Sequence, residues 1–183
     1  MHILQAMLLK LIQQKFKQKS ALNYLEAESK KPRALVGGEV DFRVACIVDF
    51  DKVIDLTIFD SLAEELRLKS NSMYLIGYKR KANQQNQYSI PYCTDNDIGW
   101  KGSINNPDFY EFQQRKYSIL INYYVEDSLL LKLMSAKTRA RIRVGFKQAN
   151  NHFDNLIFDC GLQEFDTFKR ELVKYLKILK ELN

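Results

Sequence analysis

Cysteine is scarce in this chain: Cys46, Cys93 and Cys160 are an odd set, widely spaced, with no Cys-x-x-Cys pair. That argues against a disulfide framework or a zinc knuckle and reads as reduced thiols in a cytosol. Histidine is scarcer still. His2 and His152 lie far apart with no acidic or cysteine ligand set around either, so neither metal nor triad chemistry is expected. Only seven glycines occur, none in a G-x-G-x-x-G or G-x-x-x-x-G-K-[ST] arrangement, and a nucleotide phosphate would therefore lack its usual backbone cradle. No apolar run approaches the ~20 residues needed to cross a bilayer. The start, residues 1–12, is apolar but broken by Gln5 and Lys10, and no small-residue cleavage site follows. A cytoplasmic protein without a membrane span is expected.

What is present suits a compact globular chain: 46% apolar and 27% charged residues over a length of 183, with three prolines. One domain of that size buries a core without staples. The net charge of +6 is unevenly placed. Residues 1–33 hold Lys10, Lys15, Lys17, Lys19, Lys30, Lys31 and Arg33 against only Glu26 and Glu28, which leaves the rest of the chain nearly neutral. The expected organisation is a basic helical arm, 1–33, on an α/β body, 34–183.

Apolar spacing of three and four through Leu4, Met7, Leu8, Leu11, Ile12 and Phe16, continued by Leu22 and Leu25, predicts an amphipathic helix over 3–28. Residues 30–39, with Pro32 and the Gly37-Gly38 pair, read as a linker. Strands are predicted at 43–49, 72–78, 117–124, 141–146 and 154–159, with a short one at 89–93 as an open option. Between them, helices are predicted after Asp55 or Thr57 (core face Ile58, Phe59, Leu62 and Leu66), from Pro107 to Phe112, and over 127–135. A final helix runs from Asp166 with Phe168, Leu172, Tyr175, Leu176 and Leu179 as its stripe. Residues 79–88 read as loop. Alternation of this kind gives a Rossmann-like three-layer sandwich with a mainly parallel sheet of about five strands.

Two resemblances attach to these segments. Residues 117–146, with Gly99-Trp-Lys-Gly102, Asp154-Asn-Leu-Ile157 and Glu171-Leu-Val-Lys-Tyr-Leu176, resemble a family of small Bacteroidota-type proteins known only as a domain of unknown function, over nearly the whole chain. The same thirty-residue stretch is similar to the N-terminal Rossmann-like half of heptosyltransferases. That likeness implies kinship of fold. The loop after the first strand, Asp49-Phe-Asp-Lys-Val53, lacks the glycine those enzymes place there, and no second domain for a sugar nucleotide fits in the length.

Asp49 and Asp51 end the first strand, where open α/β sheets bind ligands. They read either as a carboxylate pair for magnesium or general-base work, with Asn122 and Glu126 nearby, or as a solvated turn. Trp100 and Lys101, between glycines, read as a partner-binding knob or as a plug over the sheet edge. Arg139, Arg141 and Arg143, with Lys137 and Lys147, surround a strand; Arg141 and Arg143 share a face that suits phosphates or guards a sheet edge. The arm suits an acidic partner, with RNA or a ribonucleoprotein as the candidate; its apolar side suits packing on the body, a homodimer or an anionic membrane surface. No catalytic, cofactor or metal residues are assigned. The expectation is a non-enzymatic binding or adaptor protein. The alternatives are a degenerate glycosyltransferase-like or nucleotide-binding enzyme, and a structural oligomer subunit.

Overall fold

The computed structural model describes residues 2–31, 42–81 and 89–179, with side chains from Gln5 onward. Residues 32–39 of the predicted linker at 30–39 and most of the predicted loop at 79–88 lie outside them. Helix α1 spans His2–Ser29 and is followed by β1 (Val44–Asp49), α2 (Ile58–Glu65), β2 (Met73–Lys79), β3 (Tyr92–Thr94) and α3 (Pro107–Gln114). Then come β4 (Lys116–Tyr123), α4 (Leu129–Lys137), β5 (Arg139–Phe146), β6 (Leu156–Phe158) and α5 (Phe165–Ile178). The six strands form one sheet in the order β3-β2-β1-β4-β5-β6, parallel throughout. This is the three-layer Rossmann-like sandwich expected, with the short strand realised at Tyr92–Thr94 as its sixth member.

Strand β1 is central because it can be: all six of its residues are buried, and only a strand covered on both faces tolerates Val-Ala-Cys-Ile-Val in sequence. It pairs with β2 (Ile47 opposite Ile76) on one side and with β4 (Ile47 opposite Asn122) on the other. Its alternate residues separate two cores. Val44, Cys46 and Val48 join Ile121, Tyr123, Val144 and Phe146 under α2 and α5; Ala45 and Ile47 join Leu120 and Tyr124 under α3, α4 and the end of α1. Tyr123 anchors the first core. Phe59, Phe146, Phe165 and Phe168 meet its ring edge-on at centroid distances of 5.3, 5.2, 6.1 and 5.5 Å, and its hydroxyl donates to Leu162 O at 2.7 Å.

Local chemistry sets the helix starts. Asn106 caps α3 by accepting from Phe109 N, with Pro107 in the first turn, and Ser128 caps α4 by accepting from Leu131 N. Of the two caps predicted for α2, Asp55 or Thr57, Thr57 makes no capping bond, and the cap predicted at Asp166 is not used. Asp55 instead accepts from Thr57 N in a turn before α2, and α5 begins one residue before Asp166, behind a loop closed by Gly161 N donating to Glu164. The α5 stripe also differs from expectation. Val173 is buried beside Phe168, Leu172 and Leu176, whereas Tyr175 and Leu179 stand 41% and 46% exposed because they lie off the buried face.

Strand β5 starts at Arg139, two residues earlier than predicted, and is not an edge strand along its whole length. Strand β6 pairs with Val144–Phe146 only, so the half that holds Arg139 and Arg141 keeps one open side. No helix among the described residues is long and apolar enough to cross a membrane.

Candidate functional site

The strand order reverses between β1 and β4: the chain runs from β1 outward to β2 and β3, then returns across to β4. Ligands of open α/β sheets bind at the carboxyl ends of the strands flanking such a reversal. Here those ends carry Asp49 and, three residues past β4, Glu126.

Asp49 is fully buried, contrary to the solvated-turn reading. Its Oδ1 accepts from Asp51 N at 3.0 Å, while its Oδ2 is buried with no hydrogen-bond partner. Leaving such an oxygen unmatched costs about 1–3 kcal/mol. Burial first, then repulsion from Asp51 and Glu126, raises its carboxyl to about 6, against the opposing hydrogen bond from Asp51 N and the charge of Lys52. Asp51 Oδ2 accepts from Arg80 N at 2.8 Å, and the Arg80 guanidinium pairs with Glu126. Because Arg80 follows β2 and Glu126 follows β4, this ion pair bridges over the end of β1, which lies between them. Tyr78, opposite Asp49 in the register, donates to Asp95 at 3.2 Å.

The first turn is closed to phosphate. Phe50 N donates to Tyr78 O, Asp51 N to Asp49 Oδ1, and Lys52 N and Val53 N to Asp49 O, so every amide a phosphate nest would use is engaged. The Phe50 ring lies on Gly77, where a Cβ would fall 2.1 Å from it, and fills the position beside the turn.

Asn122, expected next to Asp49, is drawn into a different group. Its Nδ2 donates to Ser135 Oγ at 2.9 Å and Asp154 Oδ1 at 2.6 Å; Asn151 Nδ2 donates to Tyr124 OH, Ser135 Oγ and Asp154 Oδ1 at 3.1, 3.2 and 3.3 Å. This buried network ties α4 and the segment before β6 to β4. Its only sequence signal was polar residues in the apolar registers of β4 and α4.

The arm divides in two. Its C-terminal half is docked: Ala21 and Leu25 are buried, Ser20 Oγ accepts from Lys101 N at 3.1 Å, the Tyr24 ring covers Gly102, and Lys137 of α4 sits 4.2 Å above that ring. The Gly99–Gly102 turn is thus the seat of α1. Lys101 takes a left-handed backbone (φ 54°) to form it, and Trp100 is left 53% exposed beside it.

The N-terminal half turns its polar side, with Lys10, Gln14 and Lys17, toward Asp95 and Asn96 across a cleft of about 190 Å³. Of the alternatives for its apolar side, packing on the body is realised at Ala21 and Leu25 but not in this half. Met7, Leu8, Leu9 and Phe16 are 58–59% exposed, Leu11 56% and Ile12 42%. Lys15 and Lys19 stand exposed among them and Lys17 is half-buried. Arg139 and Arg141 are exposed on β5, whereas Arg143 donates to Thr138 O at 2.8 Å and serves the turn between α4 and β5.

Among the described residues, no three or more metal-ligating side chains form a ready cage. A family model described as a family of unknown function, DUF6913, matches residues 14–179. No curated protein and no solved structure matches the chain.

Proposed function

We propose that this chain, which belongs to the DUF6913 family of unknown function, is a non-catalytic binding protein whose free half of α1 grips an acidic partner. The observation behind this reading is one stretch of helix. Between Met7 and Phe16 six large apolar side chains are exposed, interleaved with Lys10 and Lys15, and α1 has no acidic residue before Glu26. Exposed apolar patches of this kind mark interaction surfaces, and lysines interleaved with them steer them to negative ones. A ribonucleoprotein offers both chemistries: phosphates for Lys10, Lys15 and Lys19, and a protein groove for Leu8, Leu11, Ile12 and Phe16. Arg139 and Arg141 add positive charge beyond the docked half of the arm, where Lys137 and Tyr24 meet.

The test is a titration of the whole protein against RNA and against purified ribonucleoprotein across a salt series. Binding should weaken with salt, and replacing Lys10, Lys15, Lys17 and Lys19 by Gln should flatten that dependence. Replacing Leu8, Leu11 and Phe16 by Ser should weaken the ribonucleoprotein complex without changing the slope. Absent or salt-insensitive binding overturns the reading.

The nucleotide-binding or glycosyltransferase-like alternative draws support from the strand reversal at β1 and β4. The engaged amides of the Asp49–Val53 turn count against it, since a sugar nucleotide would find no diphosphate cradle there.

A further inference from the structure

The strand-end rim has a chemistry of its own, that of a site for positive charge. Asp51, Asp95 and Glu126 stand around the end of β1, and Asp49, completely buried, adds an oxygen with no hydrogen-bond partner among the described residues. An unmatched buried oxygen at the strand reversal, with carboxylates around it, is an energetic cost with no structural return. Anions are refused by the same surface, because the amides of the first turn are all engaged.

We propose that the rim between β1 and β4 binds a hard divalent cation of the magnesium class, with Asp49 and Asp51 as its carboxylate ligands and Arg80 as the resident counter-charge that the ion replaces. Magnesium is commonly held by one or two carboxylates with water completing its octahedron, so a cage of three preformed side chains is not required. Arg80 is suited to giving way. Its pair with Glu126 is solvent-exposed, 60% and 31% for the two side chains, and exposed pairs contribute little to stability. Opening it frees the Glu126 carboxylate, already close enough to repel Asp49, to face the same ion. A hydrated cation would also relieve the repulsion that Asp49 feels from Asp51 and Glu126.

Binding of Mn2+ to the full chain, followed by its electron paramagnetic resonance signal with Mg2+ as competitor, tests this. Wild type should take up one ion in a saturable, Mg2+-competed manner. Asp49→Asn should weaken it by roughly tenfold or more, and Asp51→Asn, at an exposed position that leaves the core untouched, should do so as well. Arg80→Gln should tighten it several-fold, while Lys15→Gln, outside the cleft that Asp95 lines, leaves it unchanged. Non-saturable uptake, uptake that Mg2+ does not displace, or wild-type affinity in either Asn variant overturns the site; weaker binding in Arg80→Gln overturns the role given to Arg80. None of these outcomes depends on whether the arm binds RNA.

Discussion

Gly145 of β5 lies directly beneath the carboxylate of Asp154: a Cβ at position 145 would fall 1.9 Å from Asp154 Oδ2. The glycine is there for space, since the buried network of Asn122, Ser135, Asn151 and Asp154 needs that carboxylate pressed against the strand. Gly145→Ala should push Asp154 away from Asn122 and destabilise the fold by about 2–3 kcal/mol, a fall of roughly 6 °C in melting temperature. Gly161→Ala is the control, because its Cβ would meet nothing nearer than 3.5 Å and should change stability by under about 0.5 kcal/mol. Thermal unfolding of the two variants side by side checks both numbers.

The seat of the arm makes a second prediction. Gly102 has φ +73°, and a Cβ there would lie 2.8 Å from Tyr24 Cδ1. Gly102→Ala should strain the turn and lift the docked half of α1 from the body while the sheet stays intact. Hydrogen exchange is expected to show lost protection over residues 20–29 with β1 and β4 unaffected; unchanged protection there would show that Ala21 and Leu25 hold the helix without this contact.

Asp49 gives a pH dependence of unusual sign. Its folded carboxyl lies near 6, above the ordinary value of 3.8, so the folded state holds the proton more tightly than the unfolded one. Below about pH 4 both states are protonated and the residue is neutral in effect. As pH rises from 4 through 6 the folded state must ionise a buried group, and stability falls by an amount on the order of 3 kcal/mol. In the absence of divalent cation, urea unfolding of wild type and Asp49→Asn at pH 4, 5, 6 and 7 should show the two curves separating across this range, with the variant more stable at pH 7.

The thiols should be graded by burial. Cys46 and Cys93 are completely enclosed and burial pushes both thiols far up, whereas Cys160 is half-buried and its thiol is raised less. Titration of the native protein with a small disulfide reagent should modify Cys160 first, with Cys46 and Cys93 reacting only on unfolding. Three equivalents reacting at one rate in the native state would contradict the packing described.

Much of the body was legible along the chain because its central strands are apolar runs too short to be helices. Segments 43–49, 72–78 and 117–124 are displaced from the observed strands by a residue at most. The start of β5 was missed because Arg139 looks like loop when read singly; Arg139 and Ala140 are strand because Lys116 and Tyr117 offer them a ladder on one side. The strand predicted at 154–159 shrinks to Leu156–Phe158 because Asp154 is taken by the buried network and Asn155 by hydrogen bonds to Arg143. Of the site, Asp49, Asp51 and Glu126 were named together and do converge; Asn122 was named with them and faces Ser135 and Asp154. Nothing local to Asp49 announced its burial, which β2, β4 and the strap from Arg80 to Glu126 impose from three distant segments.

Hydrophobic periodicity and turn chemistry are local properties, and they were enough to determine an α/β sandwich with a lysine-rich helix in front of it. Strand order, the face on which α1 docks and the charge state of a strand-end aspartate depend on contacts between residues tens of positions apart. Those were decided only when the sheet closed around β1, burying one carboxylate oxygen without a partner and leaving the apolar residues of the arm to water.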